Sequence, residues 1–384
     1  MELTITSDRA YAGIRRGDMT PAMAGEYLRE GRLDTRGFSD VLRALYPGDD
    51  LQKRLVDAFL LDNPDAVPAS VARTVRNWLG GKTQPQNRED LFHIAFALEL
   101  EETQADALLG FCTGYGIHYR EGRDAVYGWF LRERRAYAEA RDFFASLPPT
   151  PRTTQLPDGH ESTGTQLTKE IQQDFAHARS TGELCTCYEQ HLEDFGLLHL
   201  RAYHHFDRFI TQLVRPQSAW NAPAEQEYSL EAVMQQCLAL GMPSGKNRQR
   251  YSATQKLLKA SWPNATLLKN IRLRKADVPR KLLLLLYIAT ENLIDDEYSE
   301  YFEDYTSMQD RLEDHWVSIN AILADCGMPA LDPRAPFDWL VLYALTAEDE
   351  SMSERMEQVI DAVFGQGQEQ GAVADQHPST PSDD

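Results

Sequence analysis

Residues 68–98 read PASVARTVRNWLGGKTQPQNREDLFHIAFAL. The stretch contains two segments whose apolar residues recur at the three-to-four spacing of one helical face, and a Gly-Gly-Lys turn joins them. Gly80 and Gly81 can adopt the left-handed conformation that ends a helix, and Pro85 prevents its continuation. Asn87 can then cap the second helix. The sequence therefore predicts two helices connected by a short basic turn.

The first of these helices has one apolar face and one polar, basic face. Val75 and Trp78 lie at the centre of the apolar stripe, and we predict that both are core residues. The opposite face carries guanidinium, hydroxyl and amide groups, which contact phosphates and base edges in DNA complexes. The residues predicted to bind DNA are Ser70, Arg73, Thr74, Arg76, Asn77 and Lys82.

The order of these features resembles a known family. Residues 38–98 resemble the Cro/lambda-repressor-like (xenobiotic-response-element type) helix-turn-helix domain, with Thr74-Val75-Arg76-Asn77-Trp78 in the recognition helix, followed by Gly81-Lys82 and Pro85. The resemblance implies that this helix enters the major groove of double-stranded DNA. The remainder of the chain resembles large, uncharacterised helical proteins of Gram-positive bacteria.

Negative charge is the main objection to DNA binding. The 384 residues carry a formal net charge of −20, whereas affinity for phosphates depends on a cationic surface. The turn before the recognition helix, residues 61–69, is also longer than the family's usual turn. It places Asp62 and Asp65 near the end of the helix that would face the groove.

The charge is unevenly distributed. Residues 241–290 hold eleven Lys and Arg against one acid, Asp277, and residues 291–325 hold eleven acids against one Arg. The basic stretch 246–281 can therefore bind nucleic acid, or it can pair with the acidic stretch, since charge runs usually form solvated faces. Both interpretations remain open at the level of sequence.

A candidate internal repeat bears on the first interpretation. Shifting the chain so that Val75 falls on Leu268 also places Trp78 on Ile271 and Lys82 on Lys275. Residues 252–292 are thus a candidate for a degenerate second helix-turn-helix. Its exposed basic surface would consist of Lys269, Arg272, Arg274 and Lys275. The alternative is a plain helical hairpin whose basic face meets the acidic stretch.

Helical periodicity dominates the whole chain, and almost nothing reads as a strand, so the predicted fold class is all-α. An amino-terminal helix-turn-helix domain with extra helices is predicted over 1–146 and a larger helical domain over 165–364. Residues 147–164 are rich in Pro, Thr and Ser and are predicted to be a linker. The polar tail 365–384 is predicted to be disordered.

Candidate chemical sites are few. Cys185, Cys187 and His191 have two of the ligand types of a zinc site, but the thiols lie on different faces of a predicted helix and lack a second ligand pair. Arg88 and His93 have the spacing of the catalytic pair of helical ribonucleases, although they lie in the predicted second helix of the hairpin. We therefore predict no catalytic residue, no metal ligand and no cofactor.

The sequence also indicates a cytoplasmic protein. The longest apolar run, 282–290, is too short to cross a bilayer, and the amino terminus lacks a signal peptide. Five cysteines without scaffold spacing are typical of reduced thiols. We expect no membrane partner.

Two functional hypotheses follow. The first is a bacterial, non-enzymatic, sequence-specific transcription regulator that binds double-stranded DNA and forms a homodimer, or binds a protein partner, through its carboxy-terminal helices. The alternative is a helical interaction or adaptor protein in which the helix-turn-helix is purely structural. Salt dependence separates the two, because phosphate binding weakens steeply as salt rises.

Overall fold

All regular secondary structure in the described part of the chain is helical, which confirms the predicted all-α class. The computed structural model describes residues 5–35, 37–85, 87–150, 164–196, 200–216, 227–243, 251–290, 307–348 and 350–365. The predicted tail 365–384 lies outside these residues apart from Gly365, as does most of the predicted linker. No helix within them is both long and apolar enough to cross a membrane.

Along the chain, residues 197–199 separate an earlier from a later set of helices. The first set comprises α1 (Ile5–Arg15), α2 (Pro21–Arg29), α3 (Phe38–Leu45), α4 (Leu51–Leu61), α5 (Pro68–Leu79), α6 (Arg88–Ala97), α7 (Glu102–Thr113), α8 (Gly122–Arg132), α9 (Tyr137–Ser146), α10 (Gly164–His177) and α11 (Thr181–Gln190). The second set comprises α12 (Leu200–Val214), α13 (Leu230–Val233), which continues as a π-helical turn over Met234–Leu238, α14 (Ala253–Lys259), α15 (Ala265–Arg272), α16 (280–290), α17 (Met308–Asp325), α18 (Pro336–Ala344) and α19 (Met352–Phe364).

Side-chain caps fix the start of many of these helices. A hydroxyl or amide oxygen at the cap accepts the main-chain N–H three residues later and so satisfies one of the free donors of the first turn. The caps of this kind are Thr20, Asn87, Ser180, Ser229, Ser252, Asn264, Ser307 and Ser351. The predicted cap at Asn87 is among them, and its Oδ1 lies 2.6 Å from the main-chain nitrogen of Asp90.

The buried apolar side chains form two clusters. The amino-terminal core contains buried residues between Phe38 and Phe195. The carboxy-terminal core contains buried residues from α1, α2 and the loop residue Leu33, together with those between Ala202 and Phe364. The helices α10 and α11, which follow the predicted linker, therefore belong to the amino-terminal core. The residues at which the chain passes from one core to the other therefore differ from the predicted domain boundaries.

The packing of α2 against α19 shows why local sequence does not give this division. A Cβ atom at Gly25 in α2 would collide with the Cβ of Ala362 in α19, so the two helices approach closely at this glycine. Arg29 also donates a hydrogen bond of 3.3 Å to the Ala362 carbonyl. This contact joins helices near the two ends of the chain, and neither composition nor periodicity predicts it.

The apolar residues that the predicted repeat aligns are buried in both helices. Val75 and Trp78 of α5 are buried, as are Leu268 and Ile271 of α15. The segment 252–292 does contain two helices with a short connection ahead of α16, but α14 lies further along the chain than the shift predicts. Residues 291 and 292 lie outside the described residues.

Candidate nucleic-acid interface

Helix α5 is anchored through the apolar face that the sequence indicates. Pro68 occupies its first turn, where a missing N–H costs nothing. Val75 is 1% exposed and Trp78 is 6% exposed, which confirms both as core residues. The ring of Phe59 in α4 meets the Trp78 indole edge-on, with 5.6 Å between ring centroids. The anchored face fixes which side chains α5 turns outward.

The opposite face of α5 carries most of the residues predicted to bind DNA. Ser70, Arg73, Thr74 and Arg76 are exposed, and so is Lys82 just beyond the helix. Asn77 is half-buried, and its carbonyl accepts the main-chain N–H of Lys82 at 2.9 Å, which holds this lysine beside the helix end. No described residue forms an ion pair with Arg73, Arg76 or Lys82.

The long turn between α4 and α5 carries two acids, Asp62 and Asp65, whose side chains differ in exposure. The Asp62 carboxylate is only 12% exposed and lies 2.7 Å from Nε2 of His93 in α6, so it points into the protein. Its predicted position near the groove-facing end is therefore wrong, because a buried imidazole provides a nearer partner. Asp65 is exposed. Of the two predicted repulsive charges, only Asp65 is free to act on an anion at α5.

His93 is a packing residue of the amino-terminal core. Its ring lies between those of Phe59 and Tyr137, with 4.1 Å between ring centroids on each side. Burial lowers the pKa of His93, and the neighbouring Asp62 carboxylate acts in the opposite direction. These contacts enclose the ring on both faces and leave it no access to a substrate.

Arg88 also has its partners inside the protein. Its guanidinium donates to Thr113 Oγ1 at 2.7 Å and to the carbonyls of Tyr115 and Gly116, and it forms an ion pair with Asp124. The Asp124 side chain is 4% exposed. The two members of the ribonuclease-like spacing, Arg88 and His93, are thus both committed to internal partners. Sequence reasoning did not identify this role of Arg88.

The second basic surface is smaller than predicted. Lys269, Arg272 and Lys275 are exposed, but Arg274 is half-buried, with its guanidinium carbon 4.0 Å from the centroid of the Tyr203 ring. Burial lowers the pKa of Arg274. The assignment of Arg274 to the exposed surface is wrong, because stacking on an aromatic ring of α12 draws this side chain inward.

The described part of the acidic stretch has other partners. Glu313 pairs with Arg15 at 3.5 Å, and Asp325 binds both Arg201 and His205. Asp310 caps α17 together with Ser307. Residues 291–306, which include Asp295, Asp296 and Glu297, lie outside the described residues. Lys269, Arg272 and Lys275 have no ion pair within the described part of the chain.

The side chains of the cysteine–histidine candidate take part in packing and hydrogen bonds. Cys187 is buried, and burial raises the pKa of its thiol to about 12. His191 lies between two carboxylates, with Nε2 at 2.8 Å from Asp174 and Nδ1 at 3.0 Å from Asp194. The described residues contain no group of His, Cys, Asp and Glu side chains arranged to hold a metal ion.

Comparison with known proteins adds no relative. No protein-family model, no curated protein and no solved structure matches the chain. The geometry of α5 and its surroundings is therefore the basis for a functional proposal.

Proposed function

We propose that the protein is a non-enzymatic, sequence-specific transcription regulator that binds double-stranded DNA through α5. The observation that carries the proposal is the exposed face of this helix, on which Arg73 and Arg76 have no ion-pair partner among the described residues. Ser70 and Thr74 supply hydroxyl groups beside them. Arginine reads guanine bidentately in the major groove, and hydroxyl groups donate to phosphates or bases.

Several nearby cations differ from those of α5 because they have an acidic partner. Arg54 in α4 pairs with Asp50 and Glu99, and Arg123 in α8 pairs with Glu89. In a chain with a net charge of −20, acids are abundant, and several arginines of the amino-terminal core pair with one. The positive charge of the α5 face is uncompensated, and a phosphate backbone would compensate it.

A binding titration with the full chain tests the proposal. Duplexes with a randomised central segment are selected for retention at low salt, and the enriched duplex is then titrated by fluorescence anisotropy at several salt concentrations. We expect log K to fall linearly with log salt, with a slope of about −0.9 for each phosphate bound. An absence of enrichment and of any low-salt shift would overturn the proposal.

One observation favours the alternative, a helical interaction protein. Leu61 and Val67 flank the α4–α5 turn and are 80% and 64% exposed, respectively. Exposed apolar side chains mark a protein contact when they form one surface patch, and the alternative requires Leu61 and Val67 to form such a patch. Under this alternative, Leu61→Ser and Val67→Ser variants remain soluble and well folded but no longer bind a protein partner, and neither the parent nor the variants shift DNA.

A further inference from the structure

The carboxy-terminal core contains a buried arginine network that begins at the first residue of α16. Arg280 donates to Asp338 through two bonds of 2.8 and 2.7 Å. It also donates to the carbonyls of Pro329 and Ala330, at 3.0 and 3.2 Å. Asp338 accepts the main-chain N–H of Asp332 at 2.9 Å. The network joins α16, α18 and the loop ahead of α18.

The amino-terminal core contains the same network. Arg88, the first residue of α6, pairs with Asp124 and donates to the carbonyls of Tyr115 and Gly116. Asp124 and Asp338 are each the third residue of their helices. Asp124 also accepts a main-chain N–H, that of His118, from six residues earlier, just as Asp338 does. The arginine donor, the aspartate acceptor and the two loop carbonyls thus occupy matching positions in the amino-terminal and carboxy-terminal cores.

A second feature matches independently of the arginines. In α7, Asp106 accepts the main-chain N–H of Ile117, and in α17, Asn320 accepts that of Leu331. Both acceptors lie eleven residues before their donors. The segments α6–α8 and α16–α18 thus share one arrangement of helices, loop and buried polar groups, as expected of an internal duplication.

The ends of α5 and α15 follow one hydrogen-bond pattern, which also ends α2, α6, α8 and α17. Three successive hydrogen bonds end α5, from the main-chain N–H groups of residues 80, 81 and 82 to the carbonyls of Arg76, Trp78 and Asn77. Three bonds in the same register end α15, from residues 273, 274 and 275 to Lys269, Ile271 and Asn270.

The backbone agrees with this register, because Gly81 has a φ of 67° and Arg274 a φ of 55°. Gly81 and Arg274 therefore hold the same left-handed position after their helices. In the sequence alignment that places Val75 on Leu268, Lys269 stands where Arg76 does, and Lys275 where Lys82 does.

We propose that α15 is a second DNA-contact helix, which holds a further segment of the duplex bound by α5. This inference rests on the proposed function of α5. At the positions equivalent to Arg73 and Thr74, α15 has Thr266 and Leu267. Its exposed cations at the matching positions are lysines, which bind phosphates as point charges and do not form the bidentate contact that identifies a base. Arg272, the remaining exposed cation of this helix, stands at the position of Leu79 and not at that of a predicted DNA-contact residue, so the contact made by α15 adds affinity and salt dependence without adding sequence preference.

The test compares two double variants of the full chain on the duplex selected with the parent. Lys269→Ala/Lys275→Ala removes the two matching lysines of α15 and of the turn after it, and Arg73→Ala/Arg76→Ala removes the two base-reading arginines of α5. Lys169→Ala/Arg179→Ala serves as the matched control, since it removes two exposed cations from α10 and its carboxy-terminal end. Hydroxyl-radical footprinting maps the protected backbone, and anisotropy gives the affinity and its salt slope.

We expect the parent to protect two separate backbone segments. Lys269→Ala/Lys275→Ala should expose one of them, lower the affinity by about tenfold or more at moderate salt, and reduce the salt slope by about one for each phosphate that is no longer bound. Its ranking of single-base variants of the duplex should equal that of the parent. The control should match the parent in every measurement.

The outcomes separate the two proposals. If the parent protects one segment, and only Arg73→Ala/Arg76→Ala weakens binding, α15 has no role and the proposed function of α5 stands. If Lys269→Ala/Lys275→Ala changes the ranking of base variants, the phosphate-only assignment is overturned. If the parent binds no duplex at low salt, the proposed function and this inference both fail.

Discussion

Asp106 and Asn320 perform the same structural task in the two halves of the chain. Asp106 Oδ1 accepts the main-chain N–H of Ile117 at 2.7 Å, and Asn320 Oδ1 accepts that of Leu331 at 2.9 Å. The two side chains have the same shape, but one is a carboxyl group. Burial raises the pKa of Asp106, while the hydrogen bond from Ile117 acts against that shift. The amide at Asn320 makes the equivalent bond without burying a charge.

This difference predicts that Asp106→Asn stabilises the protein at neutral pH. Because the pKa of Asp106 is raised on folding, the parent loses stability as pH rises from the usual value of 3.8 through the raised one. The variant lacks this loss, so its melting temperature should exceed that of the parent at pH 7 and equal it in acid below that window.

The reciprocal variant Asn320→Asp is the control for this prediction. It introduces a carboxyl group at the matching site, so it should lower the melting temperature at pH 7 and recover on acidification. Circular dichroism melts at a series of pH values measure both variants. A drop in melting temperature for Asp106→Asn at every pH would show that the carboxyl group itself is required.

A second prediction concerns the arginines of α5. Arg73→Ala and Arg76→Ala should each weaken binding to the selected duplex by about 1–3 kcal/mol for each base that is no longer read. Their melting temperatures should match that of the parent, because both side chains are exposed and unpaired within the described residues. Anisotropy titrations give the affinities, with Arg179→Ala as a control. Parent-like binding by both variants would show that α5 does not contact DNA.

Trp78→Ala should have the opposite profile. The indole is 6% exposed and packs against Phe59, so its removal leaves a cavity in the amino-terminal core. We expect a loss of about 3–5 kcal/mol in the free energy of unfolding, measured by urea denaturation. Arg76→Ala, two residues earlier on the exposed face, is the matched control and should unfold like the parent. Equal stability of the two variants would contradict the assignment of the two faces.

Those parts of the fold that depend on neighbouring residues were predictable from sequence. The apolar spacing predicted the burial of Val75 and Trp78, and the cap at Asn87 and the left-handed Gly81 followed from residue type. Such signals act within one or two helical turns, which is the range over which propensity and capping determine structure. The exposed face of α5 could be predicted from sequence for the same reason.

Contacts between distant residues could not be predicted. Arg274 leaves the surface because Tyr203 lies beside it, and Asp62 turns inward because His93 is buried nearby. Neither partner is close in sequence. The correspondence between α6–α8 and α16–α18 was hidden for a different reason: α5 aligns with α15 at a shift of 193 residues, from Val75 to Leu268, whereas α8 aligns with α18 at a shift of 214, from Asp124 to Asp338, so no single shift aligns both.

The last prediction uses the histidine that joins α10 to α11. The side chain of His191 is 13% exposed and lies between the carboxylates of Asp174 and Asp194. Burial acts to lower the pKa of His191, but the hydrogen bonds and charges of the two carboxylates outweigh it, so the pKa lies above its usual 6.5. The protonated ring is therefore the form that the folded protein stabilises.

A raised histidine pKa fixes the direction of the pH effect. Its stabilising contribution is fully present below the unfolded value of about 6.5 and disappears as pH rises through the higher folded value. His191→Gln should therefore lower the free energy of unfolding by about 1 kcal/mol at pH 6, a modest amount because Asp174 is half-exposed and screened by solvent. Above the folded pKa the variant and the parent should converge. His177→Gln, an exposed histidine at the end of α10, is the control and should follow the parent throughout. Urea denaturation at a series of pH values measures the difference in the free energy of unfolding. If this difference between His191→Gln and the parent widens towards alkaline pH, the protonated His191 is not the form that stabilises the fold.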